Sequence, residues 1–303
     1  MRLAIIGAGK WGQALQTAFL DANIEAHIVS RARRDLPNLT TIEAAMDAPL
    51  LVMAISAQAT REWLETRFRF NGQKILVASK GIDAQNGRFL NEIYANFAPS
   101  QNAAFLSGPG FAAEVIKKLP TALTIASESE ETAADFTRCF PHWIKTYRSS
   151  DVIGAEIAGA YKNVIAIAAG VCDSLKLGAN ARAALITRGL AEMTRFGLFF
   201  GAKLETFLGL AGVGDLTLTA TSALSRNYRV GFALGQKRTL QSVLDELGEV
   251  AEGVPTARAI VKIAERDKLR APIAFETIKL FEGGDPLSSV EALMTRANEK
   301  EFY

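Results

Sequence analysis

"RLAIIGAGKWGQAL" (residues 2–15) runs from a short apolar segment through three glycines, Gly7, Gly9 and Gly12, into a helical pattern. A strand, a tight turn and a helix with glycines in GxGxxG spacing open a dinucleotide-binding βαβ unit. The first glycine permits the tight turn, the second lets backbone approach a pyrophosphate closely, and the third allows tight helix–strand packing. The helix start then offers free N–H groups and the positive end of its dipole to phosphate. Glycines that serve packing alone are the competing reading, and the strand–turn–helix context weighs against it.

The pattern continues beyond that unit. "EAHIVS" (25–30), "PLLVMAIS" (49–56), "KILVASKG" (74–81), "NAAFLSG" (102–108) and "TALTIAS" (121–127) read as further strands. Helical segments such as "GQALQTAFLDA" (12–22), "ATREWLETRF" (59–68) and "GRFLNEIYANF" (87–97) fall between several of them. Strand alternating with helix predicts an α/β fold, a Rossmann-type, doubly wound, mostly parallel sheet over residues 1–150. From "YRSSDVIG" (147–154) onward the long segments all carry helical periodicity, so residues 151–303 read as an all-helical domain for substrate binding and catalysis.

Composition narrows the partners. With 34 basic and 32 acidic residues the chain is nearly neutral, so charge alone implies neither nucleic acid nor a membrane surface as partner. Cys139 and Cys172 have no metal-ligand spacing, so neither a metal site nor a disulfide scaffold is expected and a reducing, cytoplasmic setting fits. The first residues already read as strand and turn rather than as a leader. No stretch of about 18 residues lacks charges and turn formers, so no membrane insertion is expected.

The end of the second strand selects the cofactor. An acidic residue about 20 positions beyond the fingerprint holds the ribose 2′-hydroxyl of NAD. Here "IVSRARRD" (28–35) supplies Ser30, Arg31, Arg33 and Arg34, and Asp35 comes too late. Guanidinium groups suit a 2′-phosphate, which favours NADP, with NAD as the second choice.

Four further stretches carry polar groups in places suited to a ligand. "VASKGID" (77–83) and "LSGPGFAAEV" (106–115) set Lys80 and Gly108 at strand ends, the edge where open parallel sheets bind ligands. "GLAGVGDLTLTATSALSRNYRVG" (209–231) holds Asp215, several hydroxyls, Arg226 and Asn227; a helix cap and a helix-end cation are the plain readings of Asp215 and Arg226. "AGAYKNVIAIAAG" (158–170) places Lys162 and Asn163 inside an apolar helix, where an unpaired ammonium is costly. At helical spacing Lys162 shares its face with Ala155, Ala158, Gly159 and Ala166, small side chains that leave room beside the ammonium. His27 and His142 lie outside these clusters, which leaves a lysine of tuned pKa as general acid/base, with a satisfied structural lysine as the alternative.

Taken in order, "GAGKWGQAL", "SKGI", "SGPGFAAEV", "GAYKNVIAIAAG", "GLAGVGDLTLT…SRN" and "VAEGV" resemble the NAD(P)-dependent glycerol-3-phosphate dehydrogenases over nearly the whole chain. The resemblance implies an oxidoreductase that interconverts dihydroxyacetone phosphate and sn-glycerol 3-phosphate, supplying phospholipid synthesis. It implies that Lys162 moves the proton, with Asp215 and Thr219 beside it. Substrate contacts would come from Lys80, Gly108, Asn163, Ser225, Arg226 and Asn227, with Arg226 and Asn227 at the phosphate. The dinucleotide would meet Gly7, Gly9, Lys10, Trp11, Gly12, Arg31, Lys80, Ala112, Arg226, Val250 and Glu252. A homodimer stays open. Gly110 departs from the family's usual Ser or Thr, Lys10 from a small polar residue, and the chain is short around its second strand. A ketopantoate-type or β-hydroxyacid reductase, a non-catalytic NADP sensor and a methyltransferase are the competing readings; the first two keep the fingerprint, and the last leaves the helical half unexplained.

Overall fold

The computed structural model describes residues 2–32 and 34–295; Arg33 and the end of the 151–303 segment lie outside the described residues. Eight strands form one sheet: β1 (Arg2–Ile6), β2 (Glu25–Val29), β3 (Leu39–Thr40), β4 (Leu50–Met53), β5 (Lys74–Val77), β6 (Ala103–Ser107), β7 (Thr121–Ser127) and β8 (Ile144–Ser149). Their order is β3-β2-β1-β4-β5-β6-β7-β8. Strands β1 to β6 pair in parallel, β7 runs antiparallel to β6, and β8 is parallel to β7. The apolar runs of β1, β4, β5 and β6 are buried because helices cover both faces.

Six of the strands are those the sequence predicts. The other two sit at the sheet's edges, β3 with only two residues and β8 with mostly exposed or half-buried positions. Neither presents an apolar run, because an edge strand has one neighbour and little to bury.

Among the described residues, no strand follows Ser149. The helix Val152–Ser174 is the axis of the second half, buried along almost its whole length and surrounded by Gly178–Phe199, Asp215–Ala220, Arg226–Gly235, Gly253–Asp267 and Pro272–Phe281. By length and composition it could cross a membrane, but 89% of its apolar window is buried inside the protein. Its first turn reaches into the sheet's apolar cluster through Val152 and Ala155, so the two halves share packing there.

The helix Arg226–Gly235 lies against this axis almost backbone to backbone. A Cβ on Gly231 would stand 1.8 Å from the Ile167 carbonyl oxygen, which only glycine permits. Gly231→Ala should therefore force the helices apart and cost about 1–3 kcal/mol, the usual range for overpacking. Urea unfolding followed by circular dichroism reads this as an earlier midpoint; an unchanged midpoint would contradict the close contact.

Candidate active site

The parallel strands end at one edge, and β2 and β4 leave β1 in opposite directions there. That reversal opens a crevice above the strand ends, the place where doubly wound sheets take ligands. Lys80 follows β5 and Gly108 follows β6 at this edge. From the helical half, the axis helix brings Lys162, and the helix Asp215–Ala220 brings Asp215 and, one turn on, Thr219.

These side chains meet at one carboxylate. Lys162 Nζ donates to Asp215 Oδ1 at 2.5 Å and to Thr219 Oγ1 at 2.8 Å. Lys80 Nζ donates to Asp215 Oδ2 at 2.6 Å and to the Gly108 carbonyl at 2.8 Å. Each oxygen of Asp215 thus holds an ammonium from a different half of the chain. A π-helical turn, Leu210–Gly214, precedes Asp215 and sets where its helix begins. The small face of the axis helix matters here: the aliphatic stem of Lys80 lies over Gly159, at 3.4 Å from where a Cβ would be.

Two cations on one buried anion leave a positive surplus. Lys162 is 7% exposed and Asp215 1%. Burial pushes the Lys162 pKa down to about 8; Lys80 and Arg226 push the same way, while Asp215 opposes them. An amine that titrates near neutrality can both give and take a proton.

Asn163 has a different occupation. Its Oδ1 accepts from Asn227 Nδ2 at 2.9 Å, and Asn227 Oδ1 accepts from the Gly253 amide at 3.0 Å. This buried amide chain ties three helices together beside Lys162. Ser225 is buried and its hydroxyl caps the helix Arg226–Gly235 by accepting from the Tyr228 amide at 3.2 Å. Arg226, the first residue of that helix, remains exposed, with Nη1 3.7 Å from Glu249 Oε2. Of the polar groups read from "SRN", Arg226 is the one that projects outward. Glu249 lies in no motif and Gly253 only within "VAEGV", and the contacts they make here had no signal in the sequence.

The fingerprint loop fits a dinucleotide. Gly7 takes φ +110°, and a Cβ on Gly12 would collide with the Gly7 carbonyl oxygen at 1.9 Å. A Cβ on Gly9, by contrast, would meet nothing within 4 Å, so open space lies where a pyrophosphate would approach. The helix Lys10–Asp21 starts there without a side-chain cap. Lys10 ion-pairs with Glu249, and Trp11 packs beside Gly110, where a Cβ would stand 3.3 Å from its ring. That crowding is a local reason for glycine at 110. Arg31 is exposed beyond β2, Ala112 opens the helix Ala112–Ile116, and Val250 is exposed. Glu252 Oε1 accepts from the Ala57 amide at 3.1 Å, while its Oε2 is buried with no hydrogen-bond partner among the described residues. Burial raises the Glu252 pKa to about 7 against that hydrogen bond. An unsatisfied acceptor at the cleft is a group a ligand can complete.

Comparison with known proteins identifies the family. Residues 35–133 match the family description NAD-dependent glycerol-3-phosphate dehydrogenase N-terminus, and residues 151–291 match its C-terminus. The chain is 55% identical to glycerol-3-phosphate dehydrogenase [NAD(P)+] of Campylobacter jejuni, over 97% of this chain and 99% of that protein. The corresponding Sulfurimonas denitrificans protein is 51% identical over the same shares. Among solved structures, glycerol-3-phosphate dehydrogenase from Coxiella burnetii superposes with a TM-score of 0.90 at 32% identity, covering 97% of this chain and 99% of that one. A structure titled a putative ketopantoate reductase from Ralstonia solanacearum shares the fold alone, with a TM-score of 0.60 at 14% identity over 93% of this chain and 96% of that one.

Proposed function

Since the chain belongs to the NAD-dependent glycerol-3-phosphate dehydrogenase family, we propose that Lys162 carries the proton in its reaction. The enzyme is an NAD(P)-dependent oxidoreductase that interconverts dihydroxyacetone phosphate and sn-glycerol 3-phosphate. The observation that carries the proposal is the buried Lys162–Asp215–Lys80 array at the strand-end cleft.

Bound NAD(P) supplies or accepts the hydride at the substrate's central carbon. The chain's own groups manage everything else. In reduction, the carbonyl oxygen gains negative charge and the Lys162 ammonium donates a proton to it. In oxidation, the neutral amine takes the hydroxyl proton. Asp215 and Thr219 fix the direction of Nζ, so little reorganisation is needed when the proton moves. Lys80 and Arg226 add positive charge where an alkoxide and a phosphate would lie. The burial of Lys162 and Asp215 keeps water from competing for the proton.

The fingerprint glycines with the uncapped helix Lys10–Asp21 would hold the pyrophosphate, and Arg31 would hold the 2′-phosphate of NADP. A preference for NADPH would favour reduction, and with it a supply of glycerol 3-phosphate to phospholipid synthesis. The buried thiols of Cys139 and Cys172 fit a cytoplasmic, reducing setting. Leu198, Phe199, Leu204 and Leu208, exposed on adjoining helices, are a face that a second copy would cover in a homodimer. The division into 1–150 and 151–303 is supported by the end of the sheet at Ser149 and the start of the axis helix at Val152.

Lys162→Met tests the central assignment. Asp215 retains Lys80 when Lys162 is removed, so the carboxylate is not left alone in the interior. The variant should fold and bind NADPH, while turnover of dihydroxyacetone phosphate falls by roughly 10²–10⁴-fold. A folded variant with near-normal turnover would refute the role. Arg31→Ala should weaken NADPH binding by about 1–3 kcal/mol and leave NADH binding nearly unchanged, as measured by fluorescence titration. Equal losses for both would remove Arg31 from the 2′-phosphate site.

A further inference from the structure

Between the helices Leu240–Leu247 and Gly253–Asp267 the chain crosses the mouth of the cleft as a short strap. It leaves the first helix at Gly248, in the left-handed region with φ +59°. Two carboxylates on the strap reach the nucleotide-binding half. Glu252 accepts from the Ala57 amide, and Glu249 pairs with Lys10 in the fingerprint turn. Glu249 has a second neighbour: its other carboxylate oxygen lies 3.7 Å from Arg226. One anion therefore stands between two cations that face the phosphate-binding parts of the cleft. The hydrogen bond from Lys10 holds the Glu249 carboxyl below its ordinary pKa, and the charges of Lys10, Arg226 and Arg229 add to this.

We propose that Glu249 is a built-in competitor for the substrate's phosphate, neutralising Arg226 in the free enzyme and giving it up when a phosphate arrives. This rests on the assignment of Arg226 to the substrate phosphate. The chemistry favours exchange in that direction. A phosphate monoester carries about −1.5 to −2 charges and three strong acceptor oxygens, against one charge on Glu249. At 3.7 Å the Glu249–Arg226 contact is longer than a charge-assisted hydrogen bond, so a phosphate that closes on Arg226 gains more than the carboxylate loses. Glu249 is partly exposed, with 30% of its side chain open, and Lys10 is 75% open. The carboxylate can therefore stay on Lys10 at the surface while Arg226 turns to the substrate, with no charge left buried and unpaired. The consequence is a set point. Glu249 raises the substrate concentration at which the cleft fills, because part of the free energy of each binding event goes into removing the resident anion.

The test uses the full-length enzyme, steady-state kinetics with dihydroxyacetone phosphate, and inorganic phosphate as a competing probe. Glu249→Gln keeps the side chain's shape and removes its charge. It should lower KM about threefold, on the scale of a partly exposed ion pair, and strengthen inhibition by inorganic phosphate in parallel, with a smaller change in kcat. Arg226→Ala should raise KM, and in that background Glu249→Gln should lower it little, since the competition has lost its object. If Arg226→Ala raises KM but Glu249→Gln leaves KM unchanged or raises it, Glu249 is not a competitor while the assignment of Arg226 stands. An equal lowering of KM by Glu249→Gln with and without Arg226 would also overturn the proposal, by showing a diffuse field effect. If Arg226→Ala leaves KM unchanged, the assignment of Arg226 itself fails, and the proposal with it.

Discussion

The carboxylate of Asp215 is held at both oxygens by ammonium groups from different halves of the chain, Lys80 from the sheet edge and Lys162 from the axis helix. Much else in the cleft follows from that sharing. A buried carboxylate with no partner would cost several kcal/mol, and so would a buried ammonium. Together the three groups carry one surplus positive charge, which attracts an anionic ligand, while burial, helped by the charge of Lys80 and opposed by Asp215, lowers the affinity of Lys162 for its proton. The arrangement holds only if the sheet end, the π-helical turn before Asp215 and the axis helix keep their relative positions. The apolar packing of Val152, Ala155 and Ala211 against the sheet keeps them there.

A second set of polar contacts closes the cleft from the other side. The strap at residues 249–252 reaches Lys10 and Ala57, so the two halves are joined by charge at the mouth as well as by apolar contact below. Exposed ion pairs of this kind contribute little to stability. Their value is that they can exchange partners, which the buried array cannot do without cost. The same protein therefore has a rigid buried array, proposed to move the proton, and a looser, exposed rim, proposed to bind phosphate.

Much of this was legible in the sequence, for identifiable physical reasons. The six inner or long strands show as apolar runs because helices bury them, whereas β3, at two residues, and the exposed edge strand β8 bury too little to leave a pattern. Lys162 stands out because a charge inside an apolar helix demands a partner. Asp215 and Lys80 could be picked out one at a time, but their sharing of one carboxylate joins positions 135 residues apart and has no local signature. The bond from the Gly253 amide to Asn227 and the pairing of Glu249 with Lys10 were illegible for the same reason; the first uses backbone, and the second spans 239 residues. The pairing of Asn227 with Asn163 shows that residues grouped by motif as ligand contacts can also be each other's partners.

The most direct test of the proton-transfer centre is the pH dependence of kcat/KM measured in both directions between about pH 7 and 10, above the phosphate's own second ionisation near 6. If Lys162 carries the proton, reduction needs its ammonium, so kcat/KM for reduction should be level at first and fall as pH rises through about 8. Oxidation needs the free amine, so its kcat/KM should rise with pH and level off above the same value. Mirror-image profiles that break together near 8 are the predicted result. Profiles that break in the same direction, or with no break below the ordinary lysine range near 10.4, would contradict the assignment of the proton to Lys162.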